Sequence, residues 1–142
     1  MNTLLKDAIE GLIALHICNG VQPSDLADAM FETPYTDYKI TKTSETLSVE
    51  LSFLDDCDIE TNSIKMKYTY RLDKKLQRIE QKIGAKKFAL QWCRNKATTE
   101  AIKIIEHALV SMGADSKKIS QIMSTLPPDV RSLVRARLSL AA

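Results

Sequence analysis

The chain has 142 residues, of which 44% are hydrophobic and 27% are charged, and its formal net charge is +2. These values suit one globular domain with its own core and exclude a disordered or fibrous chain, and no apolar run reaches the roughly 20 residues of a membrane-spanning helix. The small net charge conceals a split along the chain: residues 1–60 carry twelve acids against three bases, and residues 61–142 carry seventeen bases against six acids.

The N-terminal residues predict two helices. Thr3 can cap the first, and Asn19-Gly20 gives it a left-handed stop. A second, short helix is expected over residues 24–31, so this part of the chain should be a helical hairpin. Polar residues interrupt the apolar run of the first helix and distinguish it from a targeting segment: Asp7, Glu10 and His16.

Two later stretches alternate between apolar and polar residues, with the period of two that a half-buried strand requires. In the first stretch the apolar residues are Leu47, Val49, Leu51 and Phe53. In the second they are Ile64, Met66, Tyr68 and Tyr70. Residues 35–42 predict a third strand, so we expect an antiparallel meander of three strands with helices on one face and water on the other.

From Asp73 onward the pattern predicts about four further helices. At about 100° per residue the apolar residues near this point share one line of a helix: Leu72, Leu76, Ile79 and Ile83. The predicted fold class is therefore α+β, with an N-terminal helical hairpin, a three-stranded antiparallel meander and a C-terminal helical bundle. We expect a single domain over residues 1–142, with an acidic part over about 1–70 and a basic helical part over about 71–142.

In the first of these predicted helices the basic residues lie on one side and the acidic residues on the other. This helix is therefore the leading candidate for a binding surface. One line of it carries five bases and no acid: Arg71, Lys75, Arg78, Lys82 and Lys86. On a helix this row would span about 22 Å at 1.5 Å per residue, which matches a track of phosphates, and Lys65 and Lys67 on the preceding strand would extend it. A solvated helix face, or a face docked on the acidic half of the chain or of a second copy, would have the same pattern.

Residues 113–138 contain a second cue, because Gly113 is followed at six, ten and seventeen residues by Ile119, Met123 and Val130. This spacing resembles the helix-turn-helix of sigma factors and of quorum-sensing response regulators. The resemblance implies a final recognition helix with Arg131 and Arg135 turned toward phosphates or guanine edges. Leu126-Pro127-Pro128 departs from the Ser or Thr cap of those families, Arg137 falls where they have an aliphatic residue, and an ordinary helical hairpin gives the same spacing.

An acidic loop is predicted between the second and third strands, with carboxylates at Asp55, Asp56, Asp58 and Glu60. It lacks the glycine and the final bidentate Glu of a calcium loop, so we predict no metal site. A solvated hairpin loop is the simplest interpretation. The alternative is a contact surface for a basic protein, since exposed carboxylates steer association.

No catalytic motif is present: the sequence has no Gly-rich phosphate loop, no Gly-x-Ser-x-Gly and no His-Glu-x-x-His, and ninety residues lie between its two histidines. Three widely spaced cysteines predict free thiols in a reducing, cytoplasmic setting. The leading hypothesis is a small, non-catalytic regulatory protein without cofactor that binds nucleic acid, DNA rather than RNA. The alternatives are an adaptor, chaperone or inhibitor that binds a basic protein, and a homodimer or larger homo-oligomer paired by charge.

Overall fold

In its computed structural model the chain forms two compact units. One, here called the sheet unit, comprises residues 19–94, and the other, the helical unit, comprises residues 1–18 and 95–142. The structure describes residues 3–55, 62–111, 113 and 116–141. Each unit has its own hydrophobic core.

Five helices and five strands occupy the described part of the chain. The helices are α1 (Thr3–Ile17), α2 (Pro23–Ala29), α3 (Arg94–Ser111), α4 (Ser116–Ser124) and α5 (Pro128–Ala141). The strands are β1 (Tyr35–Lys42), β2 (Thr46–Asp55), β3 (Asn62–Arg71), β4 (Leu76–Ile83) and β5 (Ala89–Cys93). Within the described ranges, none of these helices has the length and apolar character needed to cross a membrane.

All five strands form one antiparallel sheet in the order β1-β2-β3-β4-β5. The three predicted strands are present as β1, β2 and β3. The predicted fold, a three-stranded meander followed by a C-terminal helical bundle, is nevertheless wrong, because the meander continues through β4 and β5. The helix expected from Asp73 onward is replaced by a hairpin that pairs β4 with β3.

A tight turn reverses the chain between β3 and β4. The Arg71 amide donates to the Lys75 carbonyl at 2.9 Å, and the Lys74 amide donates to the Arg71 carbonyl at 3.0 Å. Lys74 has a φ of +77°, in the left-handed region that a tight turn of this kind requires and that side chains other than glycine seldom adopt. The pairing of β4 along most of β3 then satisfies the backbone groups that a helix would have bonded internally.

The apolar face of the sheet forms the core of the sheet unit together with α2. Leu26 of α2 is buried there with four residues of the strands: Val49, Leu51, Tyr70 and Leu76. The alternation of residues along β2 and β3 accounts for this face, because residues two apart on a strand point to the same side. The single tryptophan, Trp92, packs against the same core and is therefore a spectroscopic reporter for this unit.

The core of the helical unit is assembled from both ends of the chain. Leu5 and Leu12 of α1 are buried in one cluster with Ile102 and Ile105 of α3 and with Val134 of α5. Both helices of the predicted N-terminal hairpin are present, and α1 contributes to this core whereas α2 contributes to the core of the sheet unit. The helices after β5 form no C-terminal bundle by themselves, because α1 completes their core.

Candidate nucleic-acid interface

The charge split along the chain does not become a charge split between the units. The sheet unit contains twelve acids and twelve bases, counted over residues 19–94, and the helical unit contains six acids and eight bases, counted over the remaining residues. A basic surface therefore has to arise from local arrangement. The polar face of the sheet is where most of the predicted basic residues meet.

One row across this face alternates in sign over four strands. The strand register places Lys39 opposite Glu50, Glu50 opposite Lys67, and Lys67 opposite Glu80. Directly opposite residues have Cβ atoms about 4.5–5.5 Å apart, where unlike charges stabilise the pairing. Lys67, one of the predicted phosphate contacts, thus lies between two carboxylates.

The residues of the predicted basic row do not lie on one helix but on two strands and the turns on either side of β4. Arg71 ends β3, Lys75 precedes β4, Arg78 and Lys82 lie on β4, and Lys86 lies in the turn that follows. The two arginines have acidic partners, since Arg78 Nε lies 3.1 Å from Glu80 Oε1 and the Arg71 guanidinium is hydrogen-bonded to the Asp73 carboxylate. These two residues are therefore largely neutralised and are poor candidates for holding phosphate.

The Arg71–Asp73 pair gives a pH-dependent prediction. The hydrogen bond from Arg71 lowers the pKa of Asp73 from its ordinary value of 3.8 to about 2, with help from the Lys75 amide. A carboxyl whose pKa is lowered by folding contributes stability that is fully present above the unfolded pKa and is lost as pH falls through the folded pKa. We expect the Asp73 side-chain carboxyl carbon to titrate near pH 2 in an NMR titration of the wild type, and near its ordinary value in Arg71→Met. A wild-type midpoint near 3.8 would contradict the pair.

A cluster of three lysines and one aromatic ring lies beside these pairs, and two of its lysines, Lys65 and Lys82, have no carboxylate opposite them on the neighbouring strands. It consists of Lys65, Lys67, Lys82 and Phe88, and is called here the lysine–Phe88 cluster. The ammonium nitrogens of Lys67 and Lys82 lie 5.7 and 5.8 Å from the centroid of the Phe88 ring. Lys65 and Lys82 are directly opposite each other on β3 and β4, a like-charge pairing that is unfavourable unless an anion lies between them. Among the residues that the structure describes, neither of these two lysines has a carboxylate within ion-pair distance.

The adjacent turn between β4 and β5 adds two more bases. Lys86 and Lys87 are exposed there, immediately before Phe88. The Gly84 amide donates to the Ser63 carbonyl at 2.8 Å and ties this turn to β3. Five lysines and one half-buried aromatic ring therefore share one corner of the sheet. Phe88 and Lys87 were not among the predicted site residues, although the sequence Lys86-Lys87-Phe88 places bases beside an aromatic ring.

The predicted groove-reading arginines of the C-terminal helices have different surroundings. The Arg131 guanidinium donates to the carbonyls of Met123 and Leu126, each at 3.0 Å, and so binds the last turn of α4. Such bonds satisfy carbonyls that a helix end leaves without partners. Arg135 is exposed on α5. Of the two, only Arg135 presents its charge outward.

The predicted acidic surface is only partly described. Asp55 is half-buried at the end of β2, opposite Asn62, while Asp56, Asp58 and Glu60 lie outside the described residues. No three metal-binding side chains come together in the described ranges. The predicted contact surface for a basic protein at this loop therefore stays a prediction.

The lysine–Phe88 cluster, with Lys86 and Lys87, brings five lysines to one corner of the sheet. Its chemistry suits an anion that also carries a flat, polarizable group, because ammonium groups bind phosphates and an aromatic ring stacks on another ring. Comparisons of the chain with models of protein families, with curated proteins and with solved structures find no match.

Proposed function

We propose that this chain is a non-catalytic nucleic-acid-binding protein and that the lysine–Phe88 cluster holds a single-stranded segment of the nucleic acid. The observation that carries the proposal is the opposed pair Lys65 and Lys82, of which Lys82 lies over the Phe88 ring and neither has a carboxylate within ion-pair distance in the described part of the chain. Phosphate groups would relieve the repulsion between the two ammonium groups. Phe88 would stack on a base beside them.

A single strand fits this surface better than a duplex. Proteins that bind single strands combine a basic track for the backbone with aromatic side chains on which bases stack. The major groove of a duplex instead admits a helix or a two-stranded ribbon. Here the cations lie on the turn after β4 and on β3 and β4, which are inner strands of a five-stranded sheet. The pairing of Arg71 and Arg78 with acids, and the binding of Arg131 to carbonyls, leaves fewer contacts for a duplex than the sequence predicted.

The proposal is tested by fluorescence anisotropy with a labelled, mixed-sequence 20-nucleotide DNA strand, the matching RNA strand and the DNA duplex. We expect micromolar binding of the DNA strand at about 50 mM salt, and weaker binding of the duplex. Contacts from Lys65, Lys82, Lys86 and Lys87, at about −0.7 each for a single strand, give a slope of about −3 for log K against log salt. The slope of the double variant Lys65→Glu/Lys82→Glu should be shallower by about 1.4, and its affinity at least tenfold weaker.

The matched control carries the same change of charge on the helical unit. Lys103 and Lys117 are exposed lysines of α3 and α4, and Lys103→Glu/Lys117→Glu should bind nearly as well as the wild type. Phe88→Leu keeps an apolar side chain but removes the ring, and should weaken single-strand binding about fivefold, equivalent to about 1 kcal/mol, with little effect on the duplex. Equal affinities of the two double variants would refute the proposal.

A second candidate, binding of a basic protein, is favoured by one observation. Phe31 is 91% exposed just after α2, and Asp28 and Glu32 beside it in the sequence are exposed as well. An exposed aromatic residue with acidic neighbours is a suitable anchor for a basic partner. The variant Lys65→Glu/Lys82→Glu leaves this surface unchanged, so loss of nucleic-acid binding in that variant distinguishes the first candidate from the second.

A charge-paired homodimer and a cytoplasmic location remain proposals with less support. The sheet unit has as many acids as bases, so the charge split along the sequence no longer argues for pairing between two copies. A reducing compartment suits the two described cysteines, which are not joined to each other by a disulfide: Cys18, which is exposed, and Cys93, which is half-buried.

A further inference from the structure

A cavity of about 260 Å³ opens in the sheet unit beside the turn between β3 and β4. Its walls come from the start of α2, the end of β1, the start of β2 and this turn. Hydrogen bonds hold these parts together: the Gln22 side chain donates to the Gly20 and Lys74 carbonyls, each at 3.0 Å, and the Tyr70 hydroxyl donates to the Val21 carbonyl at 2.6 Å. These bonds fix the walls of the cavity relative to one another.

The lining combines apolar and basic side chains and contains no acid. The apolar members are Pro23, Leu47, Tyr70 and Leu72, and the basic members are Lys42, Arg71 and Lys74. Arg71 is paired with Asp73. Lys42 and Lys74 have no carboxylate within ion-pair distance among the described residues, so their ammonium groups can bind an anion.

Lys74 is held in an unfavourable backbone conformation at this cavity. Of the described residues other than glycine, it alone has a positive φ, at +77°. The left-handed region penalises any residue with a side chain, and glycine or asparagine is the usual occupant of such a turn position. Strain of this kind is concentrated at sites of function, and here it places a lysine where glycine would be more stable.

We propose that the cavity binds a small organic carboxylate, with the carboxylate between Lys42 and Lys74 and an apolar ring or short chain against Leu47, Leu72 and Pro23. The size limits the ligand, since the volume lies just below the range of about 300–1,000 Å³ typical of pockets for drug-sized molecules. A nucleotide is therefore too large. Inorganic phosphate would satisfy the lysines but would leave the apolar walls without contacts.

The direct test is calorimetric titration of the whole chain with benzoate, benzyl alcohol and inorganic phosphate. We expect benzoate to bind with a Kd of about 0.1–1 mM, which is reasonable for a ligand of this size. Benzyl alcohol, which has the ring without the charge, should bind at least tenfold more weakly. Equal binding of benzoate and benzyl alcohol, or of benzoate and phosphate, would overturn the proposal.

Variants at the two lysines give a second test. Lys74→Gly should keep or raise Tm, because glycine adopts a positive φ without penalty, and should weaken benzoate binding about tenfold. Lys42→Met should weaken it similarly, whereas Lys39→Met, on the same strand but outside the cavity, should not. Lys65→Glu/Lys82→Glu should also bind benzoate normally, which separates this site from the proposed nucleic-acid surface. Wild-type benzoate affinity in a folded Lys74→Gly variant would refute the assignment.

Discussion

Replacement of Gly20 by alanine is expected to lower the free energy of unfolding of the sheet unit by about 3 kcal/mol. Gly20 has a φ of +87°, where a residue with a Cβ costs roughly 1–2 kcal/mol more than glycine. The new Cβ would also lie 2.9 Å from Leu76 Cβ, which is fixed to the start of β4 and cannot move away as the end of a flexible side chain could. The clash therefore adds to the backbone strain.

The measurement is urea denaturation followed by Trp92 fluorescence, with two other glycine variants for comparison. Gly84 has a φ of +55° but open space around its missing Cβ, so Gly84→Ala should cost only about 1 kcal/mol of strain. Gly11 lies within α1 with open space beside it, so Gly11→Ala should stabilise the helical unit by about 0.5–1 kcal/mol in a circular dichroism experiment. A loss for Gly20→Ala no larger than that for Gly84→Ala would contradict the predicted clash.

The same region shows why the sequence predicted a helix in place of β4. The register shifts between Tyr70, opposite Leu76, and Thr69, opposite Arg78, so Gln77 is an extra residue in the strand. A bulge of this kind moves the following residues to the opposite face. Leu76 and Ile79 therefore share the apolar face at a spacing of three, and Ile83 follows at four, which together imitate the spacing of a helix. A single sequence contains no sign of the bulge.

The sequence of the turn before β4 also lacks the residues by which a hairpin turn is usually recognised. The turn after β3 reads Leu72-Asp73-Lys74-Lys75 and has no glycine, although Lys74 adopts a positive φ. Hairpin predictions depend on Gly or Asn at such positions. Strands β1, β2 and β3 were predictable because their alternation is unbroken over most of their length, and β5 was not, because it has only five residues.

The pairing of strands also explains why the charge split was a poor guide to the site. β2 belongs to the acidic half of the sequence and β3 to the basic half, and the sheet places them side by side, with Glu50 opposite Lys67. Charges that are separated along the chain thus neutralise one another in space. Among the predicted basic residues, Lys65 and Lys82 keep an uncompensated charge, because Ser52 and not an acid lies opposite Lys65 on β2. Only the register distinguishes these lysines from their neutralised neighbours.

Replacement of Arg94 by methionine is expected to cost about 3 kcal/mol of stability. Arg94 is only 8% exposed, and its Nε donates to the Leu76 carbonyl at 2.7 Å, while Nη2 lies 3.4 Å from the Asn19 carbonyl. The Leu76 amide in turn donates to the Asn19 carbonyl at 2.8 Å, and the guanidinium lies 5.5 Å from the Trp92 ring centroid. Methionine would fill similar space but donate nothing, and hydrogen bonds from a charged group contribute about 1.5–3 kcal/mol each.

Two further variants show whether the loss of stability comes from the missing hydrogen-bond donors of Arg94 or from the change in side-chain volume. Arg94→Lys retains a charge but only one donor group, so it should recover part of the loss. Arg78→Met makes the same replacement at a half-exposed arginine that pairs with Glu80, and should cost about 0.5 kcal/mol. Denaturation is followed by circular dichroism here, because Trp92 contacts the mutated side chain. Equal losses for Arg94→Met and Arg78→Met would show that the buried guanidinium does not join β4 to the segment that precedes α2.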